Sequence, residues 1–426
     1  MLVNTVKASK RFVRNFSTLK FPCLTRDFIN DRLYSPEGGY FCQENVQIGE
    51  ISEPINFREL VGYDEYAREI AKKYPKNAWL TPSELFRPWY GFSLANYIVQ
   101  TFVKAKKSKK TSKLKIIEVG AGSGSAADSI LFYLKNYEAQ HYTNVDYKIV
   151  EVSPQMCARA TEKLAINHKK LLDKGQITVV NENILNYKGV DDSLTFVVFL
   201  EVLDNMPHDR IYYSDENKAW AYETWVNATV DAQGKETYEE IKRPIADPLI
   251  KELIEIYTTM PNKEYYEDME KKGGIAERIV NWMYRPKDSK NLFIPTACLQ
   301  MLKTVNKLLP NHHLIMADFD ALRGSESVYQ GLCSPIVSKK LEKSHEKEDY
   351  KSYLVGRGQA DIFFPTNFYL LQDMYKKVTK RKGRFLKTHE FMDEFAKEKW
   401  CQTQSGYNPI KEDFLNTSIF FTESSA

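Results

Sequence analysis

Four short runs of β-branched and aromatic residues in the middle of the chain constrain its fold more than any other feature. The runs cover residues 115–119, 147–152, 176–181 and 194–200. Helix-compatible segments, at 125–137 and 154–172, separate the first three of them. Strands that alternate with helices are typical of βαβ units, which build a parallel sheet with helices on both faces. The sequence therefore predicts an α/β fold with a doubly wound, mainly parallel sheet.

A long polar stretch interrupts this alternation after the fourth run. Residues 206–311 are rich in Glu, Lys and Tyr and include helix-compatible segments at 248–257 and 296–308. A strand-like run at 313–319 then resumes the pattern, and residues 361–364 are expected to begin another strand. Ligands of Rossmann-like sheets bind outside the carboxyl ends of the strands, so the inserted residues are expected to form a lid or a substrate platform there.

The segment before the first run predicts helices and a linker. Residues 83–103 carry apolar side chains at helical spacing, Thr81 or Ser83 can cap this helix, and Pro88 is expected to kink it or delay its start. The run from 104 to 115 holds seven lysines and no acid, which is typical of a solvated linker.

These patterns divide the chain into six segments. They are a presequence (1–16), an N-terminal accessory segment (17–105), a cofactor-binding core (106–205), an insertion (206–311), return strands of the core (312–375) and a C-terminal extension (376–426).

The first 16 residues are basic and amphipathic. No acid precedes Asp27, and the positive charges fall on one side of a helix, at Lys7, Lys10, Arg11 and Arg14. This pattern is typical of a mitochondrial presequence with a mature start near Ser17, and it predicts the mitochondrial matrix; a basic disordered tail is the alternative. Removal of these charges brings the formal net charge of +4 to zero, so the remaining chain is not an electrostatic binder of DNA.

Cysteine spacing and apolar run length exclude two further classes. The six cysteines are scattered without a Cys-x-x-Cys pair, which argues against a zinc module, and no metal site is predicted. The longest apolar runs, such as 196–200, fall far short of the roughly 20 residues that a membrane-spanning helix needs, so no transmembrane segment is predicted.

A glycine-rich loop follows the first strand run. Gly120, Gly122 and Gly124 stand two residues apart, and Glu118 precedes them. Glycine permits a tight turn and lets backbone N–H groups approach a ligand closely. The spacing is G-x-G-x-G, which differs from the G-x-G-x-x-G of dinucleotide pyrophosphate sites.

Polar residues at the next two strand ends extend this candidate site. Glu151 ends the second run, where a carboxylate can accept hydrogen bonds from both ribose hydroxyls of an adenosine, and Asn183 follows the third run, where an amide could contact adenine. This arrangement is similar to the S-adenosylmethionine-binding pattern of Rossmann-like methyltransferases. A nucleotide-dependent dehydrogenase and a glycine turn without a ligand remain as alternatives.

Two carboxylates follow the fourth run. Glu201 and Asp204 could hold a cationic methyl acceptor, because paired carboxylates orient a guanidinium through bidentate hydrogen bonds. The alternative is that they cap the strand and a helix. His208 is a weaker candidate for a general base, and residues 205–208 lack the aromatic residue that recognition of a nucleobase amine would need.

Several motifs resemble those of the MidA-type mitochondrial methyltransferases, a family that includes a protein arginine methyltransferase acting as an assembly factor for respiratory complex I. The similar segments are 28–40, 81–85, 118–124, 150–154, 201–207 and 358–368. Departures from the family pattern stand at Leu200, which replaces Asn, at Ala121 and Ser123, which replace Pro and Arg, and at Asn367, which replaces Asp.

The resemblance implies a class I methyltransferase that uses S-adenosyl-L-methionine and needs no metal. It places Gly120, Gly122, Gly124 and Glu118 around the methionine part, Glu151 at the ribose and Asn183 at the adenine. Glu201 and Asp204, with Glu84 as a third candidate, would orient an arginine of a protein acceptor such as a respiratory complex subunit. The alternatives are a non-catalytic assembly factor that keeps this fold, and a methyltransferase for a small molecule, RNA or quinone.

Overall fold

The computed structural model describes residues 19–44, 48–75, 78–106, 113–233, 235–259, 291–322, 333–341, 346–396 and 400–423. Its strands are β1 (Cys23–Leu24), β2 (Leu114–Val119), β3 (Val145–Glu151), β4 (Ile177–Asn181), β5 (Thr195–Leu200), β6 (Asp209–Ser214), β7 (Ala219–Val230), β8 (Glu236–Pro244), β9 (Asn291–Ile294), β10 (His312–Phe319), β11 (Ile336–Lys340), β12 (Lys347–Asp349), β13 (Asp361–Phe363), β14 (Gly383–Lys387) and β15 (Thr417–Thr422).

The α-helices lie between these strands along the described chain. They are α1 (Thr25–Tyr34), α2 (Tyr63–Lys73), α3 (Pro82–Leu85), α4 (Trp89–Lys106), α5 (Ser125–Tyr137), α6 (Ala139–Tyr142), α7 (Pro154–Asp173), α8 (Pro248–Thr259), α9 (Thr296–Leu308), α10 (Phe368–Thr379), α11 (Thr388–Phe395) and α12 (Pro409–Glu412).

The central sheet has the order β14-β15-β10-β5-β2-β3-β4 within the described residues. The strands β4, β3, β2, β5 and β10 run parallel, whereas β15 is antiparallel to both β10 and β14. The chain passes from β2 outward to β3 and β4 and returns to β5 on the other side of β2, which creates a topological switch point at the carboxyl ends of β2 and β5. The predicted α/β, doubly wound fold is confirmed, and the four predicted strand runs are β2, β3, β4 and β5.

Helices cover both faces of this sheet, which explains why its strands are continuous apolar runs. All six residues of β5 are buried, as expected for a parallel strand covered on both sides. One face packs against α4, α5, α7 and α11, for example through Ile98 and Leu164. The opposite face packs against α8, α9 and α10, for example through Leu302 and Leu371.

The predicted helix at 83–103 is split in two. Thr81 Oγ1 accepts the backbone N–H of Glu84 at 3.3 Å and begins the single turn of α3. The longer helix α4 begins at Trp89, directly after Pro88. Proline is tolerated at the first turn of a helix and interrupts a helix interior, so the later start that Pro88 allows is the arrangement adopted.

The predicted insertion contains a second, antiparallel sheet. Its order is β1-β7-β6-β9, with β8 paired to β7. The Arg26 guanidinium of α1 forms an ion pair with Asp209 of β6 at 2.7 Å and also binds Asp247, which joins this sheet to the N-terminal helix. Residues 296–308 form α9, the crossover between the parallel strands β5 and β10, so a core helix lies inside the segment predicted as insertion.

Two other sequence predictions differ from the structure. The segment 376–426 is predicted as an extension outside the core, yet it supplies β14 and β15 to the central sheet, because β10 would otherwise leave an unpaired edge. Residues 361–364 are predicted to begin a further central strand, yet β13 pairs with β11 in a separate sheet with β12.

Some predictions concern residues that the structure does not describe, and one concerns membrane-spanning helices. Residues 1–16, the predicted presequence, and residues 107–112 of the lysine-rich run lie outside the part of the chain that the structure describes. Within that part, no helix is long and apolar enough to cross a membrane.

The place of β15 in the core predicts the effect of two substitutions. Phe420 is fully buried and its ring centroid lies 5.4 Å from that of Tyr375, whereas Leu415, just before the strand, is 55% exposed. Phe420→Ala is expected to lower the free energy of unfolding by about 3–5 kcal/mol, and Leu415→Ala by less than about 0.5 kcal/mol. Denaturant unfolding measures both; equally small losses would contradict a core position for β15.

Candidate functional site

A cavity of about 790 Å³, including its open mouth, lies at the carboxyl ends of β2, β3, β4 and β5. Its walls come from α1 and the residues after it, the glycine loop, the ends of β3 and β4, and the loop after β5. The lining residues used below are Asn30, Tyr34, Phe41, Ile48, Gly120, Gly122, Glu151, Asn183, Glu201, Val202 and Asn205. The cavity therefore occupies the switch point at which ligands of such sheets bind.

The glycine loop forms the floor of this cavity. Gly120, Gly122 and Gly124 all have positive φ angles, of 68°, 53° and 81°. A Cβ atom at Gly120 would lie 2.7 Å from Val202 Cγ2, and one at Gly124 would lie 3.0 Å from Ala160 Cβ. Gly120 and Gly122 line the cavity, whereas Gly124 begins α5 behind it. Backbone conformation favours glycine at all three positions, and limited space favours it also at Gly120 and Gly124.

Glu151 joins this loop to the end of β3. Its Oε2 accepts the backbone N–H of Gly122 at 3.1 Å, and its Oε1 accepts the backbone N–H of Ser153 at 2.9 Å. The side chain lines the cavity, and burial raises the pKa of its carboxyl group while the backbone N–H groups favour the charged form. A carboxylate held in this way can accept further hydrogen bonds from a pair of ligand hydroxyl groups.

Asn183 lies in the wall next to Glu151. Its Oδ1 accepts the backbone N–H of Leu185 at 2.9 Å and caps the short 3₁₀ helix Ile184–Asn186. Because the amide oxygen has this partner, the amide NH₂ group is the part of the side chain suited to donate to a ligand ring nitrogen.

Glu118 and Glu84 lie outside the cavity lining. The buried Glu118 accepts the Tyr147 hydroxyl at 2.6 Å, and burial raises its pKa to about 7. Glu84 accepts the backbone N–H of Ile51 at 2.9 Å and the hydroxyl of Ser125. Through these contacts Glu84 joins the N-terminal segment to the start of α5. Its carboxylate is occupied by them, so the geometry does not support the catalytic role that the family resemblance implies for it.

The loop after β5 carries Glu201 into the cavity. Glu201 has a φ angle of 54°, in the left-handed region that is costly for residues other than glycine. Burial, followed by the charge of Asp204, raises the pKa of its carboxyl group well above the ordinary range, and a backbone hydrogen bond from Ser83 favours the charged form. Strained backbone of this kind is concentrated at functional sites.

Asp204 lies in the same loop, next to the lining residue Asn205. Its side chain is buried, and its Oδ1 has no hydrogen-bond partner among the described residues. Burial raises the pKa of the Asp204 carboxyl group to about 7. A buried acceptor without a donor is costly, and a bound cation would remove that cost.

Further residues beside the cavity were missed by the sequence reasoning. The hydroxyl of Tyr34 donates to the backbone oxygen of Asn205 at 3.0 Å, and the Asn205 amide donates to Asp361 Oδ1 at 2.8 Å. Asp318 accepts backbone N–H groups of the loop after β5. Asp318 is the penultimate residue of a predicted strand, as Glu151 is, and this position at a strand end could have identified it. Tyr34 and Asp361 fall within the segments that resemble the family motifs.

His208 is structural in this arrangement. Its ring stacks on Phe364 with centroids 3.9 Å apart, and Nδ1 lies 2.7 Å from the backbone oxygen of Met206. Burial lowers the pKa of the imidazole to about 3, so it stays neutral at physiological pH. Among the described His, Cys, Asp and Glu residues, no group of three or more could hold a metal ion.

A protein-family model described as "Putative S-adenosyl-L-methionine-dependent methyltransferase" matches residues 93–386, more than half of the chain. The match includes the glycine loop, Glu151, Asn183 and the loop after β5. The cofactor of this family is therefore S-adenosyl-L-methionine. The cavity fits it, because the Gly120 turn would be filled by a Cβ atom and Glu151 presents a buried carboxylate.

Individual relatives agree with this match. The chain is 22% identical over 239 residues to "Protein arginine methyltransferase NDUFAF7 homolog, mitochondrial" of Saccharomyces cerevisiae, and the aligned region covers 54% of this chain and 52% of that relative. The chain therefore spans about half the length of the curated relative it matches.

Two crystal structures from Burkholderia thailandensis share the fold. One is described as a "likely methyl transferase" bound to S-adenosyl-homocysteine and is 16% identical, and the other is a native structure that is 14% identical. Both have a TM-score of 0.54, with 95% of this chain and 89% of the other chain covered.

Two glycines with the same backbone conformation give a matched test of the cavity floor. Gly120 and Gly175 have φ angles of 68° and 69°, but an added Cβ atom meets Val202 only at Gly120 and meets nothing within 4 Å at Gly175. Gly120→Ala is expected to weaken S-adenosylmethionine binding at least about tenfold, or about 1.4 kcal/mol, whereas Gly175→Ala leaves it unchanged. Isothermal titration calorimetry measures both; equal affinities would contradict the role of Gly120.

The buried Glu118 predicts a pH dependence of stability. Its pKa rises from 4.5 to about 7 on folding, so the contribution of this residue is fully present below pH 4.5 and is lost as the pH rises through 7. The loss corresponds to roughly 3 kcal/mol. Glu118→Gln is expected to be more stable than the wild type at pH 8 but not at pH 4. Denaturant unfolding at both pH values tests this, with Glu162→Gln, at an exposed glutamate, as the control. If the difference in unfolding free energy between Glu118→Gln and the wild type is the same at pH 4 and pH 8, the pKa shift is disproved.

Proposed function

This chain belongs to the family of S-adenosyl-L-methionine-dependent methyltransferases whose model it matches, and we propose that it methylates an arginine side chain of a protein in the mitochondrial matrix. The observation that carries the choice of acceptor is the pair of carboxyl groups after β5. Glu201 lines the cavity, and the buried Asp204 has an oxygen without a partner. No described Lys or Arg forms an ion pair with either residue, so a positive group is missing from the site.

A guanidinium suits this pair in charge and in shape. It is protonated at all physiological pH values and presents N–H donors in a planar fork that matches carboxylates. Bound beside Glu201 and Asp204, it would supply the donor that Asp204 Oδ1 lacks and offset the mutual repulsion of the two carboxylates. An uncharged acceptor would leave this cost in place.

The carboxylates also address the chemical difficulty of the acceptor. The lone pairs of a guanidinium are delocalised, so the attacking nitrogen is a poor nucleophile. Carboxylates that bind the other nitrogens hold the positive charge there and fix the direction of attack. S-adenosylmethionine, when bound, supplies the electrophilic methyl group. Methylation releases one proton from the attacking nitrogen, and a carboxylate of this pair can accept it.

The proposed location rests on two observations. The Saccharomyces cerevisiae relative is named as mitochondrial, and the first 16 residues of this chain are basic, acid-free and amphipathic. A respiratory complex subunit is the acceptor that the resemblance to the MidA-type family suggests. N-terminal sequencing of the organellar protein tests the import step, for which a mature start near residue 17 is expected.

Isosteric substitutions separate acceptor chemistry from cofactor binding. Glu201→Gln and Asp204→Asn keep the side-chain shape and remove the charge. Each is expected to lower the rate of methyl transfer at least about 100-fold while S-adenosylmethionine affinity stays within about twofold of the wild type, because neither residue belongs to the glycine loop or to β3. Glu151→Ala is the converse variant and should lose affinity.

The assay uses the full chain, radiolabelled S-adenosylmethionine and mitochondrial extract lacking the endogenous enzyme, with Glu162→Gln as control. Methylarginine in hydrolysed protein, absent with Glu201→Gln and Asp204→Asn, supports the proposal. Label in RNA, quinones or small molecules would identify one of these as the acceptor and contradict the assignment to arginine. Tight cofactor binding without any transfer would indicate a non-catalytic assembly factor.

A further inference from the structure

The carboxyl group of Asp318 is placed to organise the loop after β5. Asp318 is the penultimate residue of β10 and is 2% exposed. Its Oδ2 accepts the backbone N–H of Leu203 at 2.8 Å and that of Asp204 at 3.1 Å. Its Oδ1 accepts the backbone N–H of Phe319 at 2.7 Å. The loop that carries Glu201 and Asp204 is therefore bound to the neighbouring strand by this side chain.

The loop needs such a partner because its backbone leaves the sheet. The N–H of Glu201 donates to the backbone oxygen of Ala317 at 2.8 Å, and the positive φ angle of Glu201 then turns the chain away from β10. Beyond this turn, the buried N–H groups of Leu203 and Asp204 lie outside the strand ladder. Buried backbone donors without partners are costly, and Asp318 provides the acceptor.

We propose that Asp318 is a positioning residue for the methyl acceptor, holding Glu201 and Asp204 at a fixed separation. The inference rests on the proposed function, since the acceptor is the cation that the two carboxylates bind. Asp318 lines no part of the cavity and acts through the backbone of the loop.

Several titratable groups surround Asp318. Burial, followed by the charge of Asp204, raises the pKa of Asp318 well above its usual range, and Glu201 adds to this rise. The other titratable groups that face it are Tyr90 of α4 and Cys298 of α9. On the far side of the loop, Asp361 and Tyr34 face Asp204.

Two substitutions test the positional role. Asp318→Asn keeps an oxygen that can accept the N–H groups of Leu203 and Asp204 but removes the charge. Asp318→Ala removes both. The matched control is Asp320→Asn, at an acid just after the same strand that binds Lys387 and Ser418 and lies outside the cavity lining.

The first measurement is amide hydrogen exchange on the full chain saturated with S-adenosylhomocysteine, which needs no acceptor. In Asp318→Ala, exchange at Leu203 and Asp204 should be at least about tenfold faster than in the wild type. Asp318→Asn and Asp320→Asn should remain close to the wild type at these amides. Unchanged exchange in Asp318→Ala would overturn the positional role.

The second measurement is the rate of methyl transfer to arginine, with cofactor affinity measured alongside. Asp318→Ala should lower kcat about 100-fold at unchanged cofactor affinity. Asp318→Asn, which keeps an acceptor oxygen, should keep kcat within about tenfold of the wild type. A loss of about 100-fold or more in a folded Asp318→Asn would overturn the positional role, even if Asp318→Ala fails to fold.

The two proposals fail in different ways. If wild-type protein transfers no methyl group to arginine, the proposed function fails, and hydrogen exchange still decides whether Asp318 holds the loop. If the wild type methylates arginine but neither exchange nor kcat responds to substitution of Asp318, only the positioning role fails.

Discussion

The parallel pairing of β2 with both β3 and β5 is the constraint on which the rest of the structure depends. It brings the carboxyl ends of these strands to one edge, where the backbone N–H of Gly120 donates to Val150 at 2.9 Å and Glu151 accepts the N–H of Gly122. The cofactor side of the cavity is thus built largely from backbone groups and one carboxylate. Such a site tolerates sequence change, because most of its contacts do not depend on side-chain identity.

The proposed acceptor side follows a different principle. Asp204, Asp318 and Asp361 are buried near one another and near the partly exposed Glu201. Burial together with mutual repulsion disfavours the charged forms of these four carboxyl groups. The backbone N–H groups of the loop after β5 and the amide of Asn205 offset part of this cost. The remainder is electrostatic free energy that a bound cation would recover, which supports the proposal of a positively charged acceptor.

Sequence reasoning succeeded where structure follows from position along one strand. The fold class, the central strands and the place of Glu151 at the end of β3 needed only local patterns. It failed to anticipate the surroundings of Glu84, because nothing in the sequence shows that Ile51 and Ser125 occupy its carboxylate. It also failed for the segment after residue 376, whose pairing with β10 joins residues about 100 positions apart.

The sequence by itself determined the α/β alternation, the glycine turn and the carboxylates after β5, because hydrophobic period, positive-φ glycines and strand ends are local properties of the chain. Only the tertiary structure decided which acids share an environment. Asp204, Asp318 and Asp361 come from separate strands and loops, and their coupling arises from distance and common burial. Neither quantity can be obtained from sequence spacing, since both depend on how β5, β10 and β13 meet in the folded chain.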